Sequence, residues 1–178
     1  MTHYLAPVGR RNLLSFAVTT LVVPIPWRRT GAETPGEASA RVPIEHLNDA
    51  LLAAMEAGSR TPFSQRYRAL APVIEQVFDL DAVLAASIGL SWARLSEAEK
   101  AQLATAFRRY TVSSYVSNFN GYSGQSFRIL ASVRAVGNGE VVVQTRLMRS
   151  NGSPVKLDYV MRSGRAGWQA VDVLTDGR

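Results

Sequence analysis

From Phe78 to Gly124 the chain forms one broadly apolar helical block, and four short alternating segments separated by turns follow it. Helices first and strands afterwards predict an α+β fold, not a doubly wound one, which needs strands and helices interleaved. In the first segment Phe127, Ile129, Ala131 and Val133 alternate with Arg128, Ser132 and Arg134. Gly137-Asn138-Gly139 is a hairpin signal, and Val141 to Arg149 forms the second strand. Asn151-Gly152-Ser153-Pro154 turns the chain again. Val155, Leu157, Tyr159 and Met161 then share one face, opposite Lys156, Asp158 and Arg162. A turn at Gly164 to Gly167 leads into the fourth strand, Trp168 to Leu174. Three short turns make all neighbours antiparallel.

The helical half has its own punctuation. Ile44, Leu47, Leu51 and Met55, with Leu52 beside them, recur at three-and-four spacing, and Gly58 closes that helix. Thr61-Pro62 opens a second helix whose stripe is Phe63, Tyr67, Leu70, Ile74, Val77 and Phe78. Pro72 inside it is expected to kink or divide it. Asp79 and Asp81 are N-cap candidates for a short helix with Val83 and Leu84, broken at Gly89 near Trp92. Ser96-Glu97-Ala98-Glu99 reads as a capping box. It starts the longest helix, about Glu97 to Phe119, whose wide stripe runs through Leu103, Phe107, Tyr110, Val112, Tyr115, Val116 and Phe119. So broad a stripe predicts more than one neighbour.

Ahead of these elements, Arg10-Arg11 and the apolar run Leu13 to Trp27 have the layout of an export signal. Ala38-Ser39-Ala40 and Thr30-Gly31-Ala32 are the cleavage candidates. Arg10-Arg11-Asn12-Leu13-Leu14 also fits a loose twin-arginine pattern. The alternatives are an uncleaved anchor and a short internal helix. Thr30 to Pro43 reads as a linker. The expected organisation is therefore a signal and linker over residues 1–40 and a single domain over 41–178. With no cysteine, disulfides, thiol catalysis and thiolate metal sites are excluded. The net charge of +6 comes from arginines scattered along the chain, Lys100 and Lys156 being the only lysines. No basic run interleaved with aromatics is present, which argues against nucleic acid.

Catalytic readings are poor. His3 falls in the signal and His46 in the first turn of a helix, so no Ser–His–Asp arrangement and no metal spacing can be built. Asp79 and Asp81 read better as caps than as a carboxylate pair. No cofactor and no enzymatic activity are expected. What remains is the apolar face of the strands and the long helix. Helices over a curved antiparallel sheet can leave a dry apolar gap that accepts a lipid tail, with about 0.8 kcal/mol gained per buried CH₂.

RYRALAPVIEQVFDLDAVL, WARLSEAEKAQLATAFRRYTVSSYVSNFNGYSG, PVKLDYVMR and GWQAVDVLTDG together resemble the MlaC (toluene-tolerance auxiliary) family of periplasmic lipid carriers, nearest its hopanoid-associated branch, over about Ile44 to Gly177. That resemblance implies an NTF2-like fold with a deep apolar pocket. It implies a phospholipid or hopanoid ligand, and partners in outer-membrane and ABC-transporter complexes of the cell envelope. Similar proteins continue past the residues matching Asp176-Gly177 with a further strand and helix. Either this sequence is truncated there or its branch lacks the element; truncation would leave the sheet an exposed edge and the pocket short of one wall.

On this reading the long helix lines the pocket with Phe107, Tyr110, Val116 and Phe119. The sheet adds Phe127, Ile129, Val143, Leu147, Leu157, Tyr159 and Met161, with Trp92 and Trp168 at rim or floor. Two other readings stand beside it. One is a ligand-free adaptor using Arg108, Arg109, Arg128 and Arg134. The other is an enzyme using Asp158 or Asp172.

Overall fold

The computed structural model describes residues 35–150 and 152–175. The N-terminal signal reading lies outside these residues up to Thr34. Among these residues, five α-helices and one 3₁₀ segment lead into a four-stranded antiparallel meander: α1 (Pro35–Ala38), α2 (Arg41–Ala57), α3 (Phe63–Val77), α4 (Leu80–Ile88), the 3₁₀ segment (Gly89–Arg94) and α5 (Glu97–Asn118), then β1 (Ser126–Gly137), β2 (Glu140–Met148), β3 (Val155–Gly164) and β4 (Gly167–Thr175). The expected α+β order is observed.

Local chemistry accounts for most boundaries. α2 buries Ile44, Leu47, Leu51 and Met55, one stripe at helical spacing, each worth about 1.5–3 kcal/mol. Asp79 caps α4 by accepting from the Ala82 N–H at 2.9 Å, and Asp81 lies in the first turn. Ser96 and Glu99 form the reciprocal capping box of α5, with both hydrogen bonds present. The hydrogen bonds from Ser96 lower the carboxyl pKa of Glu99. α3 is not divided at Pro72. Pro72 and Arg68, whose carbonyl loses its helical partner, are both exposed, so water can replace the missing bond. Asn138 and Gly139 both have positive φ, 52° and 73°, as a two-residue type I′ hairpin turn requires.

The linker expectation for Thr30 to Pro43 does not hold over its described part. α1 and the start of α2 occupy it, Ala40 is completely buried, and the Trp168 indole N–H donates to the Gly36 carbonyl at 3.0 Å. The Arg41 guanidinium donates to the Ala131 carbonyl of β1. Tertiary contacts order a segment whose composition alone carries no period.

The ladder sets four rows on the inner face of the sheet: Phe127–Leu147–Val155, Ile129–Thr145–Leu157–Thr175, Val133–Val143–Tyr159–Val173 and Ala135–Val141–Met161–Ala170. β1 carries two extra residues between Ile129 and Val133, so the alternation survives while Ala131 is exposed at the irregularity. The helices cover this face. α5 meets both α3 and α4, as a wide stripe predicts. Arg66 of α3 is buried and crosses to α5, where its Nη1 donates to the Val116 carbonyl at 2.8 Å. Val116 is in the last turn of α5, so the guanidinium satisfies one of the carbonyls that a helix end leaves open.

On the outer face Asp158 is buried but paired. Arg146 lies 3.0 Å and Lys156 3.3 Å from its carboxylate, and Gln144 donates at 3.3 Å. Thr145, on the inner face, is different, because its buried hydroxyl oxygen has no hydrogen-bond partner among the described residues. Replacing it with the isosteric valine removes an unsatisfied group and keeps the shape. Thr145→Val is expected to stabilise the protein by about 1 kcal/mol, read as a higher denaturant midpoint. A lower midpoint would mean that the hydroxyl is satisfied after all.

Candidate functional site

A cleft of about 570 Å³ lies between the end of α5 and the inner face of the sheet. Leu147, Val155, Leu157 and Tyr159 form its sheet wall, extended by Val173 and Thr175 of β4. Tyr115 and Phe119 of α5 face them, and Met55 of α2 reaches in from the side. Ser114, Asn118, Gln125 and Arg149 are the polar members of the lining. The volume falls within the usual range for a small-molecule site, about 300–1,000 Å³.

The helical wall is positioned by stacked aromatics. Tyr115 and Phe119, one turn apart, stack with ring centroids 5.8 Å apart and planes 13° apart. Phe78 meets Tyr115 at 5.7 Å and Tyr159 at 6.3 Å, and Phe119 meets Phe127 at 6.3 Å. Rings from β3, the end of α3, α5 and β1 thus form one continuous ladder, each contact worth about 0.5–1.5 kcal/mol beyond its area. Phe78 can join because the chain is extended there, with a single parallel bridge from Phe78 to Ala170.

The phenols of Tyr115 and Tyr159 are pushed above the ordinary range because burial disfavours the phenolate. For Tyr115, charge repulsion from Tyr159 adds to that. Neither is suited to proton transfer near neutral pH. Among the described residues no group of three His, Asp or Glu is placed to hold a metal. His46 is exposed. Neither acid considered for an enzymatic role lines the cleft. Asp158 is in its outer-face ion pairs, and Asp172 is exposed with Oδ1 accepting from the Val173 N–H.

The twelve residues expected to line a pocket divide into four groups. Phe119, Leu147, Leu157 and Tyr159 line the cleft. Val116, Val143 and Met161 are fully buried in the core beneath it. Phe107, Phe127, Ile129 and Trp168 are half-buried against that core. Tyr110 is 70% exposed; at 100° per residue it lies about 160° around α5 from Val112. Trp92 is beside Lys100, whose ammonium is 5.7 Å from its ring. Met55, Tyr115, Val155 and Val173 complete the apolar lining. The i,i+4 relation of Tyr115 to Phe119 was a signal for one of them.

The family model for the MlaC protein matches residues 45–177, and the chain belongs to this non-enzymatic family. Among curated proteins none matches significantly. Among solved structures, the fold is similar to a phospholipid-binding protein from Ralstonia solanacearum, solved in complex with a phospholipid. The TM-score is 0.66 and the identity 18%, over 82% of this chain and 80% of that one. Among the described residues no helix is long and apolar enough to cross a membrane.

In an alkaline titration followed by phenolate absorbance, Tyr115 and Tyr159 are expected to stay protonated past about pH 10, the value of a free phenol. Both folded-state values lie above the unfolded one. Their contribution to stability is therefore intact below about pH 10 and declines as pH rises further. Complete ionisation of the tyrosines in still-folded protein would contradict this burial.

Proposed function

We propose that the chain is a lipid carrier of the periplasm that holds the tails of a phospholipid in the cleft between α5 and the sheet and shuttles it between envelope membrane complexes. The observation that carries this reading is the composition of the cleft: apolar and aromatic walls from two layers, a polar rim, and no acid–base group. Family membership supports it, as does the phospholipid seen in the similar Ralstonia protein. The export-signal layout of the N-terminal sequence and the family's usual compartment support the periplasm. Apolar walls hold a tail by desolvation alone, which lets one carrier accept and release lipids of varied chain length.

Leu157 is half-buried in the cleft wall, so a larger side chain there occupies tail space without opening the core. Leu157→Trp displaces about three methylenes at about 0.8 kcal/mol each, a drop in affinity of more than tenfold. The check is lipid extraction and mass spectrometry of folded protein prepared without detergent. Wild type is expected to carry phospholipid, and the variant to carry little. A hopanoid as the extracted species would move the cargo to the triterpenoid class suggested by the sequence resemblance. Wild-type protein that stays empty in the presence of lipid would favour the adaptor reading, for which the exposed Arg108, Arg109, Arg128 and Arg134 are available.

A further inference from the structure

We propose that Arg149 makes the mouth of the cleft a phosphate site, so that the cargo is selected as a lipid with an anionic phosphate head over a neutral lipid with the same tails. The inference rests on the reading that the cleft takes lipid tails.

Among the described residues lining the cleft, Arg149 is the only charged side chain. It follows β2 directly and keeps the parity of Leu147, which puts it on the inner face one step outward from the apolar wall. It is exposed there, while Ser114, Asn118 and Gln125 supply neutral polar groups around the same opening. A tail lying along Leu147, Leu157 and Tyr159 therefore brings its head to a cation with hydroxyl and amide donors nearby.

What sets Arg149 apart from the other exposed arginines is its place in the cleft lining, and two arginines of the same sheet are already engaged elsewhere. Arg146 is bound to Asp158 at 3.0 Å and Arg162 to Glu140 at 2.6 Å, both on the outer face. Arg149 makes no hydrogen bond or ion pair among the described residues. A free guanidinium presents a planar fork of donors that fits two phosphate oxygens at once. One effect works against an anion here, because the mouth adjoins the C-terminal end of α5, where the helix dipole is negative. Two of the carbonyls responsible are already occupied. Val116 accepts from Arg66, and Tyr115 accepts from the Phe119 N–H. The full charge of Arg149 outweighs the residual partial charge, which is about half a unit before such capping.

The test offers the detergent-free protein equal amounts of dioleoyl phosphatidylglycerol and dioleoylglycerol in mixed vesicles and quantifies the bound fraction by mass spectrometry. Wild type is expected to enrich the phosphate lipid about tenfold, the scale of one charge-assisted contact. Arg149→Gln is expected to lose that preference while still taking up dioleoylglycerol. Arg149→Lys should restore part of it. Arg165→Gln, which removes one exposed charge in the β3–β4 turn, should leave it unchanged. No preference in wild type, or a preference that survives Arg149→Gln, overturns the proposal and leaves the cleft reading standing. Uptake of neither lipid overturns both. Displacement of phosphatidylglycerol by an equal concentration of inorganic phosphate would assign the site to the free anion and also overturn it.

Discussion

The ring of Tyr159 is where the two layers of this protein meet. It is completely buried in the third row of the sheet, between Val143 and Val173, and it touches Phe78 on the helical side. Phe78 passes the contact to Tyr115, Tyr115 to Phe119, and Phe119 to Phe127 on the edge strand. Aromatic rings are large and rigid, so this ladder acts as a spacer. It holds α5 off one end of the sheet, whereas Val112 and Val116 pack down fully. Core and cleft are thus two sides of the same row of rings, and Tyr159 belongs to both.

Much of this arrangement is legible in the residues. The capping box at Ser96 and Glu99, the cap at Asp79, the Asn138-Gly139 turn and the alternation of β3 are local signals that depend on the chain's immediate neighbourhood. They locate nearly every element. The face of α5 that meets the sheet is not local information. Tyr110 and Tyr115 are equally apolar in sequence; the spacing puts Tyr115 on one face with Phe119, and packing against Phe78 turns that face inward. The same holds for Met55, which continues the stripe of α2 and yet reaches a cleft formed by strands about a hundred residues later. The ordering of residues 35–43 was hidden for a related reason, since Arg41 and Gly36 find their partners in β1 and β4 and Ala40 joins the common core.

Polar groups divide labour between the faces. Outside, Asp158 is neutralised by Arg146 and Lys156, which lets a carboxylate sit buried in the middle of the sheet. Inside, Arg66 spends its donors on backbone carbonyls of Thr61 and Val116, tying α3 to the end of α5. The interior face is left mainly to apolar side chains, with Thr145 buried among them and Thr175 and Arg149 toward the cleft mouth. On the proposed function, a surface of that kind would discriminate poorly among tails and leave selectivity to the rim.

The hydrogen bonds that join helices to sheet are unevenly distributed. Trp168 to Gly36, Gln169 to Gln76 and the Asp79 N–H to the Ala170 carbonyl gather at the start of β4, and Arg41 to Ala131 lies midway along β1. The cleft opens at the other end, where β4 finishes at Thr175 and β2 runs out past Leu147. The two layers are therefore stapled along one side like the spine of a book. Parting the free pages requires the aromatic rings to slide against one another, and the ladder between strands stays intact throughout. Widening of the aperture would leave every strand in the sheet.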